Sequence, residues 1–171
     1  MDDLDFKHWI FQPGTLFKDS VKWWDNTCLR SSLHEGVDFC CFEDKAGNTV
    51  FLNGDTLIPV MYDGEVVRVF NDFLGQSIQV AHYLYNDTAR LYSIYAHSLP
   101  DDKLKVGDKV EAGNCIGSIA AKIRGRIVPH LHISVMWVSQ DTPLQKICWE
   151  TINDPGLARL CNPLDFMKID F

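Results

Sequence analysis

The sequence predicts a mainly β fold built from antiparallel sheets. Three observations carry that expectation. Short runs rich in β-branched and aromatic residues are separated by the turn signals Asn53-Gly54-Asp55 and Asp63-Gly64. Ser77 to Tyr85 alternates, with Ile78, Val80, His82 and Leu84 at every second position. Val106 to Gly117 is punctuated by Gly107, Gly113 and Gly117 around two very short strands.

The elements follow in order. Residues 1–33 mix Trp9, Phe11, Phe17, Trp23 and Trp24 with Pro13-Gly14 and show no clean period. They read as an irregular N-terminal arm packed on the domain, with a possible second role in lining a groove. Val37, Phe39, Cys40, Cys41 and Phe42 form a strand-like apolar stretch. Val50-Phe51-Leu52, Thr56 to Met61, Glu65 to Phe70, Ser77 to Tyr85 and Leu91 to Ala96 read as further strands. The segment from Val106 to Gly117 has the look of the tight hairpin found in barrel-sandwich hybrid folds. Residues 138–171 are more mixed. Leu144 to Ile152 is expected to form a short C-terminal helix, Asp154-Pro155-Gly156 is a turn, and Asn162-Pro163-Leu164 closes the domain. The 171 residues fit a single domain, 1–171, with an arm (1–33), a β core (34–137) and a C-terminal extension (138–171).

Composition narrows the function classes. The formal net charge is −7 and no basic run occurs, which argues against a nucleic-acid partner. No apolar run approaches the ~18 residues of a membrane span. The acidic start Met1-Asp2-Asp3-Leu4-Asp5-Phe6 is not a signal sequence, so the expected location is cytoplasmic by default, with a trimmed leader or another export route as the alternatives. The six cysteines, Cys28, Cys40, Cys41, Cys115, Cys148 and Cys161, contain no C-x-x-C pair and read as free thiols; Cys148 with Cys161 is the first candidate for a disulfide.

Pro129-His130-Leu131-His132 opens the run Ile133 to Trp137. Histidines two apart on a strand share a face, roughly 6.6–7 Å apart, which suits a metal site better than core filling. His34-Glu35-Gly36-Val37-Asp38 supplies a histidine and a carboxylate. In an extended strand these lie roughly 13 Å apart, so the chain must curl between them, and Gly36 is the residue that permits it. His34, Asp38 and one member of the His130/His132 pair would give three protein ligands, with a fourth position open to water, the catalytic arrangement.

His34-x-Gly36-x-Asp38, Tyr95-Ala96-His97, the Val106-to-Gly117 segment and His130-Leu131-His132 occur here in the order found in lysostaphin-like (LytM-type) zinc metalloendopeptidases. The chain resembles that family over roughly residues 33–137, with a weaker echo at Asn162-Pro163. The resemblance implies the duplicated hybrid motif fold. It implies zinc bound by His34, Asp38 and His132, with His97 and His130 as the catalytic, non-ligand histidines. It implies hydrolysis of peptide bonds in peptidoglycan cross-bridges or stem peptides. The segment Ala120 to Val128 is more apolar and more basic than the Gly/Ser/Thr-rich loop usual in the family.

Other residues are read beside these. Tyr95 shares a strand face with His97 by parity and is a candidate for oxyanion support. Arg124 and Arg126 read as a solvated loop, with contact to a substrate carboxylate as the alternative. His8 and His82 read as ordinary surface or half-buried residues. His34-Glu35 begins like H-E-x-x-H, but position 38 is Asp and Gly36-Val37 is poor helix, so Glu35 is placed on the solvent side. Two rival functions remain open: a non-catalytic binding or scaffold module on the same fold, and a phosphocarrier-like protein, which has no use for Asp38.

Overall fold

The computed structural model describes residues 5–121 and 127–167. In chain order the strands are β1 (Phe6–Ile10), β2 (Val21–Lys22), β3 (Asp25–Leu29), β4 (Val37–Phe39), β5 (Cys41–Asp44), β6 (Thr49–Phe51) and β7 (Leu57–Pro59). They continue with β8 (Gly64–Asn71), β9 (Gln76–Tyr85), β10 (Ala89–Pro100), β11 (Lys109–Val110), β12 (Cys115–Ile119), β13 (Leu131–Ser139) and β14 (Ala158–Cys161). The expected antiparallel β architecture is present. Of the short helix expected over Leu144 to Ile152, only the 3-10 turn Leu144–Lys146 forms, followed by turns up to Asn153, and a separate 3-10 turn lies at Pro163–Asp165.

A nine-stranded sheet organises the molecule, running β11-β8-β9-β10-β12-β7, with β13 beside β10 and carrying β14 and β4 on its other edge. β10 pairs with β9 along one edge. Along its other edge it pairs first with β13, ending at Ala96 opposite His132, and then with β12, starting at Ser98 opposite Ile119. β1, β5 and β6 form a three-stranded sheet, and β2 and β3 a two-stranded one. The Val106-to-Gly117 segment differs from the expected hairpin. β11 pairs with β8, while β12 pairs with β10 and β7, so its two short strands bridge separate parts of the sheet. Its glycines serve that bridging: Gly107 N–H donates to Val66 O and Gly113 N–H to Val60 O, both residues having φ near +90°.

The strand period of two sorts the side chains onto two faces. Leu91, Tyr95, Ile133 and Val135 face the main core, with Ile78, Val80 and the aromatic cluster of Phe6, Trp9, Phe39 and Phe42. Tyr92, Ile94, Met136 and Val138 face the other way and are covered by Ile147 and Ile152 of the C-terminal extension. Both isoleucines are essentially fully buried. Each such burial contributes about 1.5–3 kcal/mol, enough to fix the extension in place. His132 and Asp38 sit opposite one another on this second face, beside Trp149 of the extension.

Candidate metal centre

His34 enters β4 from a loop, Asp38 is the central residue of β4, and His132 is the second residue of β13. Asp38 and His132 are directly paired in the antiparallel ladder. His34 Nε2, Asp38 Oδ1 and His132 Nδ1 converge on one point. The separations are 3.3 Å from His34 to Asp38, 3.1 Å from His34 to His132 and 2.8 Å from His132 to Asp38. Tetrahedral zinc with bonds of about 2.0–2.2 Å asks for ligand atoms roughly 3.3–3.5 Å apart, so the triangle has the right size.

The outward-facing atoms explain why these three turn inward. His34 Nδ1 donates to Leu16 O at 2.9 Å, which turns Nε2 toward His132 and Asp38. His132 Nε2 lies 2.8 Å from Ser134 Oγ, and Asp38 Oδ2 accepts from the Trp23 indole N–H at 2.7 Å. With each outer atom engaged, the three inner atoms face one another, an arrangement a cation can bridge once it displaces their shared protons. All three residues are buried. Burial pushes the Asp38 carboxyl up, but the His34 charge and the hydrogen bonds of His132 and His34 outweigh it and hold the group well below its ordinary value. Burial lowers the His132 imidazole, so the ring favours its neutral, ligating form. The donor set and its geometry fit zinc.

Gly36 is required here, for a reason other than the expected curl. Its φ is not in the left-handed region; instead a Cβ at this position would lie 2.2 Å from Ile133 O and 2.7 Å from His132 Nε2. The loop carrying His34 reaches His132 because position 36 has no side chain.

His130 precedes β13 and points its Nε2 into the site, 3.9 Å from Asp38 Oδ1. Its Nδ1–H donates to Val128 O at 2.8 Å, and its ring lies edge-on to Trp23. Burial pulls its pKa down to about 4, so at neutral pH it is an uncharged base. His97 occupies the junction where β10 passes from β13 to β12, at φ +59°. By parity it would face the core with Tyr95. The left-handed residue and the pairing irregularity around it swing its ring to the opposite face, where it lies 4.8 Å from the His130 ring and 6.0 Å from that of His132. His97 Nδ1–H donates to Asp72 Oδ1 at 3.1 Å.

These groups floor an open cleft of about 370 Å³ walled by Trp24, Arg30, Glu35, Phe73, Trp149 and Glu150. The arm therefore does line the groove, through Trp24 and Arg30. Glu35 borders the cleft and is half-buried, which corrects its placement on the solvent side. Tyr95 is not part of the site: it is fully buried in the core and its hydroxyl accepts from Met61 N at 2.8 Å. His82 is also fully buried, between Tyr62 O and Ser93 Oγ, because β9 is covered on both faces at that point. His8 is half-buried on β1, as expected. Arg124 and Arg126 lie outside the described residues. The six cysteines are free, and only Cys40 is buried.

Four residues of the site were missed in the sequence: Asp72, Trp23, Ser134 and Trp149. Ser134 alone had a legible signal, being two residues beyond His132 on the same strand face.

A β-sheet fold with a His-Asp-His donor triangle at the floor of an open cleft defines a candidate metal-binding architecture. The chain belongs to peptidase family M23, whose family model matches residues 32–145. Among solved structures it is similar to LytU, with 27% identity over 80% of this chain and 79% of that one and a TM-score of 0.53. The catalytic domain of the antimicrobial peptidase lysostaphin from Staphylococcus simulans shares its fold, with 20% identity over 96% of this chain and 94% of that one and a TM-score of 0.55. No curated protein matches the chain.

Proposed function

We propose that this chain is a zinc-dependent endopeptidase that hydrolyses peptide bonds in peptidoglycan cross-bridges or stem peptides. In this reading His34, Asp38 and His132 hold the metal, and His97 and His130 are the catalytic histidines. The observation that carries it is the inward convergence of one donor atom each from His34, Asp38 and His132 beside two further histidines whose Nδ1–H groups are both engaged. Membership of peptidase family M23 and the likeness to LytU support the peptidase class. The motif order shared with lysostaphin-like enzymes supports a peptidoglycan substrate.

Zinc bound there would supply a Lewis acid that polarises the peptide carbonyl and lowers the pKa of a bound water. The chain's own residues supply the rest. With Nδ1–H fixed, His97 and His130 each present Nε2 as the proton acceptor on the cleft side. Once protonated, either ring is a donor to the leaving amine or to the oxyanion. Trp24, Phe73 and Trp149 wall the cleft with aromatic surface, which offers apolar contact to a bound peptide.

The test is mass spectrometry of purified muropeptides incubated with zinc-loaded protein. Cleavage that a chelator abolishes supports the reading, and chelator-insensitive cleavage overturns it. His34→Ala and Asp38→Ala should each lower the zinc content from about one per chain; a full load in both removes the ligand assignment. His130→Ala should retain zinc and lose hydrolysis, and unchanged turnover refutes its role.

A further inference from the structure

The turn between β8 and β9 carries a buried carboxylate that neither the metal triangle nor the core requires. Asp72 sits in Asp72-Phe73-Leu74-Gly75, and its side chain is 1% exposed. Oδ1 accepts from Leu74 N and Gly75 N at 2.9 and 2.8 Å, which builds the turn. The same oxygen accepts from His97 Nδ1 at 3.1 Å. Oδ2 accepts from the His97 backbone N–H at 2.9 Å and from Ser77 Oγ at 2.8 Å. A turn cap needs only the first pair of bonds. The others grip His97 by its backbone and its ring together, at the one β10 position where the backbone is left-handed.

The docking is close. A Cβ on Gly75 would lie 2.7 Å from Ser98 O and 2.8 Å from the Ala120 side chain, so the turn is pressed against the bulge that presents His97. Phe73 packs edge-on to the His97 ring, with centroids 4.9 Å apart. The ring is thus held by a carboxylate at one nitrogen and by an aromatic edge, with His130 on a further side.

We propose that Asp72 is a positioning residue for His97: it fixes the imidazole in the Nδ1–H tautomer, aims the bare Nε2 into the cleft, and supports the ring when it takes a proton. The proposal rests on the reading of His97 as a proton-transfer residue. Burial pushes the Asp72 carboxyl up, but the hydrogen bonds and charge of His97 outweigh it and keep the group ionised far below its ordinary value. A buried anion against one ring nitrogen stabilises positive charge on the ring.

Two measurements test this. In metal-free protein labelled with 15N-histidine, NMR of the imidazole nitrogens should show His97 as the Nδ1–H tautomer. In Asp72→Ala the signals should move toward an average of both tautomers. An Nε2–H tautomer in the wild type, or an unchanged spectrum in Asp72→Ala, overturns the proposal. The second measurement uses zinc-loaded enzyme and muropeptides. Asp72→Asn, which keeps an acceptor for the turn, should lower kcat on the order of 10²-fold. Its KM should stay within about two-fold and its zinc content should be unchanged. Wild-type turnover in that variant overturns the proposal, as does a loss seen only in KM. Should the wild-type protein cleave no muropeptide, the peptidase reading fails, and the tautomer measurement by itself decides the Asp72–His97 assignment.

Discussion

Trp23 donates its indole N–H to Asp38 Oδ2 at 2.7 Å, from the small β2–β3 sheet of the arm to the large sheet that carries the metal triangle. The bond turns the other carboxylate oxygen toward His34 and His132. Arg30, from the same arm, stands 3.6 Å from that Oδ2. Trp23→Phe keeps the packing against His130 and removes the donor. It should weaken zinc about 10-fold or more in a chelator competition, with the folded spectrum retained. An unchanged affinity would show that the arm does not orient the carboxylate.

Gly36→Ala tests the close approach of the two ligand-bearing segments. The new methyl meets the carbonyl of Ile133, a main-chain atom of a central strand, at 2.2 Å. One of the two backbones must move, at a cost of about 1–3 kcal/mol. The variant should melt lower and bind zinc less tightly; a native melting temperature with full zinc affinity would contradict the geometry.

Zinc should stabilise the protein measurably. Free metal at a hundred times its dissociation constant adds about 2.7 kcal/mol. For a chain of this size that is a rise in Tm of roughly 5–10 °C. Asp38→Asn should abolish most of the rise, and a shift of equal size in that variant would place the binding elsewhere.

His82 gives a prediction at acid pH that is independent of the metal. Burial pulls its pKa from 6.5 to about 4. Between those values the unfolded chain binds a proton that the folded chain does not, so its contribution to stability is lost as pH falls through that window. From neutrality to pH 5 the loss is about 2 kcal/mol. Urea unfolding of the wild type and His82→Asn at pH 7.5 and 5 should show a steeper decline in the wild type by about that amount. Parallel declines would mean that His82 is protonated in the folded state.

The cluster of His34, Asp38 and His132 was readable in the sequence because each motif is local. His34 to Asp38 spans one turn into a strand, and His130 with His132 spans one strand step. What closes the site is not local. Asp72 reads as an ordinary turn residue, and its aim at His97 depends on pairing between β8, β9 and β10 that no periodicity reveals. Trp23 lies in a stretch with no period at all. Tyr95 was misplaced because parity was carried across position 97, where a left-handed residue reverses it. The Val106-to-Gly117 glycines marked the turns correctly, but which strands those turns join is a property of the whole sheet.

β13 takes part in pairings with β10, β14 and β4, and its first residues include His132, with His130 just before it. His132 is 98 residues downstream of its partner His34. During synthesis, then, the ribosome has released most of the polypeptide before the cluster can exist at all. A chain stalled before residue 130 has His34 and Asp38 but neither histidine of the later motif, so only two of the three donors of the triangle are present to meet.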